Sequence, residues 1–369
     1  MRIALLLPAV AALAACTGAR RAADAATEPW TAEPAAIDTT DGIRILVLHD
    51  MEGLAGEDDP NQFFFGKPEY PHGQELLAAD LNAVIEGLFQ GGATAVDVVD
   101  GHGSGNPEPD VRRDLLDPRA QQVFRDQPFD SYFDLVTPGA YDAVAVVGMH
   151  AKTGSRGFAS HTITLGIGVE LNGRMITETE LVAASWGRQR VPLIFASGDD
   201  RLAADLATLP WIEFVTVKTA HSADSVALRP VAEARTDLTA AARRAVENYR
   251  SGKTRAVRVR EPVRAGVRAV HPASLALLDG VPGIDYADST VRFTSDSLGD
   301  AYRAIETLVG VATAAYSGVL SGLVSRSAGG PELMGGFLDT LVGQWFDYES
   351  GRWQAPTRPT PSGRFHGPR

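Results

Sequence analysis

The sequence has one cysteine among its 369 residues. That excludes an intramolecular disulfide, a thiolate zinc finger and an iron–sulfur cluster. Basic side chains are also in short supply: 34 Lys and Arg against 46 Asp and Glu leave a formal net charge of −12. Nucleic acid, whose phosphates favour basic patches, is therefore not an expected partner. Long hydrophobic runs are missing too. The N-terminal apolar run is about a dozen residues, too short to span a bilayer, and no later run reads as long and apolar enough to do so. What remains is ordinary globular composition, 44 % hydrophobic and 22 % charged. It allows a large core in one elaborated domain or two smaller ones.

The lone cysteine lies at the end of that N-terminal run. Arg2, the apolar stretch and then small residues read as an export signal, and Leu13-Ala14-Ala15-Cys16 looks like a bacterial lipobox. On that reading 1–15 is a lipoprotein signal peptide, and cleavage leaves Cys16 as the lipidation site. The expected product is an exported bacterial lipoprotein, membrane-anchored and facing the periplasm or the cell exterior. Residues 16–42, rich in Ala, Thr, Pro and Glu, read as a flexible tether. The basic, Pro-rich end is expected to form a disordered tail over 346–369.

Between these ends the pattern is α/β. Short apolar, β-branched runs at 43–49, 95–99, 143–148 and 191–196 read as strands. Apolar residues at 76, 77, 81, 84, 85 and 88 share one helix face, and Gly91-Gly92 closes that helix. Strands separated by helices predict a largely parallel sheet with helices on both faces. Residues 43–195 are assigned to this part. Residues 196–345, with strand-like 211–217, extended 256–270 and helical 230–249 and 297–320, are expected to form a smaller α/β subdomain.

Polar residues gather where three of the predicted strands end: His49-Asp50-Met51-Glu52-Gly53, Asp100-Gly101-His102-Gly103, and His150. Loops at the carboxyl ends of parallel strands converge on one crevice. Imidazole and carboxylate without thiolate suit zinc or a similar divalent ion. Thr177-x-x-Glu180 is a capping-box pattern, which occupies Glu180 and leaves Glu178 to face a ligand. His161 follows glycines 154 and 157 in a loop-like stretch. His49 should point opposite to Asp50, into the core or behind the ligands. Asp199-Asp200 reads as a helix N-cap, and His72, His221, His271 and His366 have no comparable setting.

Taken in order, Asp50-Met51-Glu52-Gly53, Asp100-x-His102, Gly148-x-His150, Ser160-His161, Asn172-Gly173-Arg174, Glu178 and Ser197-Gly198-Asp199-Asp200 resemble the zinc-dependent D-aminopeptidase family of bacterial dipeptide-transport operons. The similarity runs from about residue 43 to about 315. It implies two zinc ions per chain, held by Asp50, Glu52, His102, His150 and Glu178, with His161 as the catalytic histidine. It also implies a short peptide substrate with an N-terminal D-amino acid such as D-alanine, and a homo-oligomer. The lipoprotein leader, the tether, the C-terminal extension and Gly101 depart from the family pattern. Two close divalent ions polarise a scissile carbonyl and activate water at neutral pH, and a histidine can then serve the leaving amine. The rival readings are a di-metal hydrolase of another amide or ester and a non-catalytic peptide-binding lipoprotein.

Overall fold

The computed structural model describes residues 29–354 apart from 126, 128 and 327. The signal peptide, Cys16, His366 and most of the expected tail therefore lie outside the described residues. In chain order the first strands are β1 (Trp30–Pro34), β2 (Arg44–His49), β3 (Ala95–Asp100), β4 (Gln121–Gln122), β5 (Ala143–Met149), β6 (Ile167–Leu171) and β7 (Arg174–Ile176). They are followed by β8 (Leu193–Asp199), β9 (Glu213–Ser222), β10 (Ser225–Leu228), β11 (Arg255–Val259), β12 (Val263–Ala269), β13 (Asp285–Ala287) and β14 (Thr290–Ser295). The helices are α1 (Tyr70–Gly91), α2 (Glu178–Gly187), α3 (Asp200–Asp205), α4 (Val231–Arg250), α5 (Leu298–Arg326) and α6 (Gly330–Glu349).

The apolar runs build a seven-stranded sheet in the order β10-β9-β8-β5-β2-β3-β4, parallel except at the β9–β10 edge. Its centre is covered on both sides, and every residue of β5 is buried. β2 shows how the faces divide. Ile45 and Val47 enter a core shared with α1 and α4, whereas Leu46 and Leu48 enter a second core with α2. A one-residue slip would exchange these sets, so burial on both faces fixes the register. α1 ends at Gly92, whose φ of 108° is the left-handed conformation of a helix stop.

The second core is closed by a five-stranded antiparallel sheet, β13-β14-β12-β6-β7. It differs from the expected layout. A division at 195/196 falls inside the first sheet, because β8, β9 and β10 complete that sheet while β6 and β7, earlier in the chain, belong to the second. Local strand patterns carry no record of which distant strand they pair with.

Three terminal features also differ. β1 pairs antiparallel with β11, and Trp30 is buried with the Arg174 guanidinium over its ring at 5.1 Å. The expected tether thus ends in a docked strand, because one large apolar side chain outweighs the polar composition around it. At the other end α6 continues to Glu349, past the expected start of the tail. α5 is, by length and composition, apolar enough to cross a membrane, and only 11 % of its most apolar stretch is buried. Gly, Ala, Ser and Thr interrupt that stretch, which hides it from a search for continuous apolar runs.

Candidate metal centre

The carboxyl ends of β2 and β5 approach so closely that only glycine fits between them. The Gly53 N–H donates to the Gly148 carbonyl at 2.7 Å. A Cβ on Gly53 would lie 2.0 Å from the Met149 carbonyl oxygen, and one on Gly148, whose φ is +77°, would lie 2.3 Å from that of Asp50. This contact brings Asp50 and Glu52 beside His150. β3 delivers His102, whose backbone N–H donates to Asp100 Oδ1 at 2.8 Å. Glu178 is the first residue of α2, and Thr177 and Glu180 form the predicted capping box behind it. The structure therefore brings all five predicted ligands together, with His161 alongside.

Each imidazole of the cluster has its outer nitrogen committed to a backbone carbonyl. His102 Nε2 donates to Phe63 at 2.9 Å, His150 Nδ1 to Ala151 at 2.9 Å, and His161 Nδ1 to Ala159 at 2.8 Å. A carbonyl only accepts, so the inner nitrogen of each neutral ring carries the lone pair. Those inner nitrogens face carboxylates. His102 Nδ1 lies 2.9 Å from Asp50 Oδ1 and 3.2 Å from Glu52 Oε2, and His150 Nε2 lies 3.4 Å from Asp50 Oδ2 and 3.7 Å from Glu178 Oε2. Lone pair against carboxylate is satisfied only by a cation or a proton between them. His150 Nε2 is also buried without a hydrogen-bond partner.

The electrostatics agree. Asp50, Glu52 and Glu178 are all buried, and burying uncompensated charge is costly. Burial and then the Asp50 charge push Glu52 up to about 7. Burial disfavours the ionised form of Asp50, yet hydrogen bonds with Glu52, His102 and His150 hold it well below the usual carboxylate range. Burial opposes protonation of His150, but Glu178 and Asp50 raise it to about 10. The cluster is short of positive charge. Asp50, Glu52 and His102 form one group of ligand atoms within 4.8 Å of one another, and Asp50, His150 and Glu178 form another. Glu52, His150 and His161 form a third such group. These residues fit divalent cations, with Asp50 common to the first two groups.

His161 is placed differently. Its ring stacks on that of His150, with centroids 4.0 Å apart and planes at 16°, and its Nε2 lies 3.9 Å from Glu178 Oε1. Burial, then the neighbouring His150, push it down to about 3. It is a neutral base facing the ligands. A cleft of about 1180 Å³ opens above the cluster, with Asp50, His102, His161 and Glu178 on its floor and Phe133, Arg188, Tyr302 and Glu306 among its walls.

Several site residues escape sequence reasoning. Tyr132 donates its hydroxyl to Glu178 Oε2 at 2.6 Å, and Phe133 stacks on Tyr302 with centroids 4.0 Å apart. Both come from an irregular loop with no strand end to mark it. Asp199 caps α3 as predicted, by accepting from the Leu202 N–H, and its other oxygen accepts the Phe158 N–H at 2.9 Å. Lys218 and Glu57 form a fully buried ion pair, with the ammonium 4.1 Å from the Phe158 ring. Of the remaining histidines, His49 is buried behind Asp50 with neither ring nitrogen hydrogen-bonded. His72 faces Glu75 at 3.4 Å and His271 bonds Gln344 at 2.8 Å.

Comparison with known proteins decides the family. Residues 43–307 match the sequence model of a family described as D-aminopeptidase. The chain belongs to the D-aminopeptidase family. All five candidate ligands and His161 lie within the matched residues, so the site is built from the D-aminopeptidase core. A curated relative, the D-aminopeptidase of Bacillus subtilis (strain 168), is 27 % identical over 266 residues, which cover 71 % of this chain and 95 % of the relative. A solved structure described as the Zn-dependent D-aminopeptidase DppA from Bacillus subtilis, a self-compartmentalizing protease, shares the fold. Its TM-score is 0.65 at 24 % identity, covering 73 % of this chain and 98 % of that one.

Proposed function

We propose that this member of the D-aminopeptidase family is a di-zinc aminopeptidase of short peptides with an N-terminal D-residue such as D-alanine. The observation that carries the reading is the pair of ligand groups sharing Asp50. Asp50, Glu52 and His102 would hold one zinc ion, and Asp50, His150 and Glu178 the other. Zinc bound there supplies Lewis acidity toward a scissile carbonyl and a lowered pKa for water. The protein side chains do the rest. Tyr132 and the Ile163 N–H, both donating to Glu178 at 2.6 Å, fix the carboxylate orientation. His161 holds its lone pair at Nε2 toward the cluster, where it would take the proton lost by the attacking water and pass it to the leaving amine as the C–N bond breaks. Glu306 and Asp134 on the cleft wall attract the peptide ammonium, and Arg188 offers a partner for the far carboxylate.

The same proposal includes the address. A lipid at Cys16 would hold an exported enzyme at the membrane, beside cell-wall peptides that contain D-alanine. Self-compartmentalization is stated of DppA, and on that likeness the chain is proposed to assemble as a homo-oligomer, readable as a particle mass well above 39.2 kDa.

The test combines metal analysis with hydrolysis of D-Ala-D-Ala, with and without a chelator. The expected result is about two zinc ions per chain, the stoichiometry of two-metal sites, and activity lost on chelation and restored by zinc. Turnover of L-peptides or esters in preference to D-Ala-D-Ala would overturn the substrate, and tight peptide binding without turnover in zinc-loaded protein would overturn the catalytic reading.

A further inference from the structure

α6 lies beyond residues 43–307, the part of the chain matched to the D-aminopeptidase family. It nevertheless returns to the site. Trp345 is fully buried, and its ring meets His161 edge-on, with centroids 5.4 Å apart and planes at 84°. The His161 ring is thus held between His150 on one side and Trp345 on another. One turn further along α6, on the same helix face, Glu349 is buried as well. Its Oε2 accepts the Gly154 N–H at 2.9 Å and faces the Ser160 hydroxyl at 3.5 Å.

Gly154 and Ser160 bracket the loop that presents His161. That loop is not relaxed. Arg156, Ala159 and Ile163 have φ of 58°, 49° and 74°, a region that side-chain-bearing residues seldom occupy and that persists only where surroundings over-determine it. The first sheet supplies part of the restraint, through Asp199 on the Phe158 N–H and the Ala223 carbonyl on the Ala159 N–H at 2.8 Å. α6 supplies the opposite side. Its own end is clamped by the Ala223 N–H donating to the Ser350 hydroxyl at 3.1 Å and by Arg352 bonding Asp224 at 2.6 Å.

We propose that α6 is a working part of this active site, with Trp345 and Glu349 as positioning residues that hold the His161 loop and ring over the ligand cluster. Trp345 blocks rotation of the imidazole away from His150, and Glu349 ties both ends of the loop to one helix. The side chains touch neither substrate nor ligand positions. Their effect passes through His161, and the inference rests on the proton-transfer role proposed for that residue.

The experiment uses the full chain loaded with zinc and compares Trp345→Ala, Trp345→Phe, Glu349→Ala, Glu349→Gln and His161→Ala. Measured for each are zinc content, melting temperature, and kcat and KM for D-Ala-D-Ala. Displacing a catalytic group by about 1 Å costs on the order of a hundredfold in rate. Both Ala variants at 345 and 349 are accordingly expected to lose about ten- to a hundredfold in kcat. Zinc content and KM should stay within about twofold, the pattern of a misplaced transition-state group. Trp345→Phe keeps an aromatic edge and Glu349→Gln keeps an acceptor, so each should recover most of the kcat. Loss of activity only in step with loss of folded protein, with Phe and Gln no better than Ala, would overturn the proposal. So would kcat within twofold of the parent in both Ala variants. If Trp345→Ala does not fold, the Glu349 pair decides. Normal turnover by His161→Ala would overturn the role of His161 and this inference together. An inactive His161→Ala beside fully active helix variants would overturn this inference alone.

Discussion

The imidazole of His161 lies flat on that of His150, 4.0 Å from centroid to centroid. One ring is a candidate ligand with its inner nitrogen among carboxylates, and the other is a neutral base beside it. Glu52, His150 and His161 also lie close enough to hold an ion together, but the two groups that share Asp50 are complete without His161. His161→Ala should therefore retain the parent's zinc content and fold while kcat falls by about a hundredfold or more, the scale of general acid–base catalysis. Metal analysis and steady-state kinetics on one preparation check this, and zinc lost together with activity would show that His161 is a ligand.

Glu178 and Glu180 lie two residues apart on the first turn of α2, yet their roles differ. Glu180 returns to the Thr177 N–H at 2.8 Å, whereas Glu178 faces His150 and Tyr132. Glu178→Ala is expected to lose zinc with little change in the helix. Glu180→Ala should keep its zinc but lose half of the capping box and the buried ion pair with Arg174, about 3–5 kcal/mol of stability. Zinc titration and denaturant unfolding separate the two, and equal zinc affinity in both variants would remove the distinction.

Gly53 is the contact point of β2 and β5. A methyl group there would overlap the Met149 carbonyl, so Gly53→Ala must push the two strand ends apart. Overpacking of this kind costs about 1–3 kcal/mol, and the displacement separates Asp50 from His150. Zinc content and melting temperature should fall together. An alanine variant with both unchanged would show that the strand ends are not held by this contact.

Glu349 makes stability depend on pH. Burial pushes its carboxyl from 4.5 in the free chain up to about 7. Between those values the native state keeps a proton that the unfolded chain has released, so its contribution to stability decreases as pH rises. It is fully favourable below about 4.5 and lost above about 7. Glu349→Gln cannot ionise and removes the slope. Chemical unfolding should find the glutamine variant gaining on the parent by up to about 3 kcal/mol between pH 4.5 and 7, and a constant gap would show that Glu349 does not titrate on unfolding.

The clustering of the candidate ligands was legible because parallel strands deliver their last residues to one place, and Asp50, His102 and His150 each follow a recognisable apolar run. Glu178 was separable from Glu180 because a capping box has a fixed spacing. Other parts left no local trace. Tyr132 sits in an irregular loop, and its partner Glu178 is known only once the sheet has closed. Trp345 carries no local signal, and nothing in its neighbourhood points to a histidine far back in the chain. The second sheet was missed for the same reason, since β6 and β12 become neighbours only through long excursions of the chain.

The docking of Trp30 beside β11 also bears on distance. With Cys16 as the lipid-bearing residue proposed here, the leash would end at residue 30 rather than 42. Fully extended, that shorter segment reaches roughly 50 Å instead of roughly 90 Å. The catalytic cleft would then patrol only a thin layer above the bilayer, where freely diffusing peptides and those still joined to a surface polymer are met at very different rates.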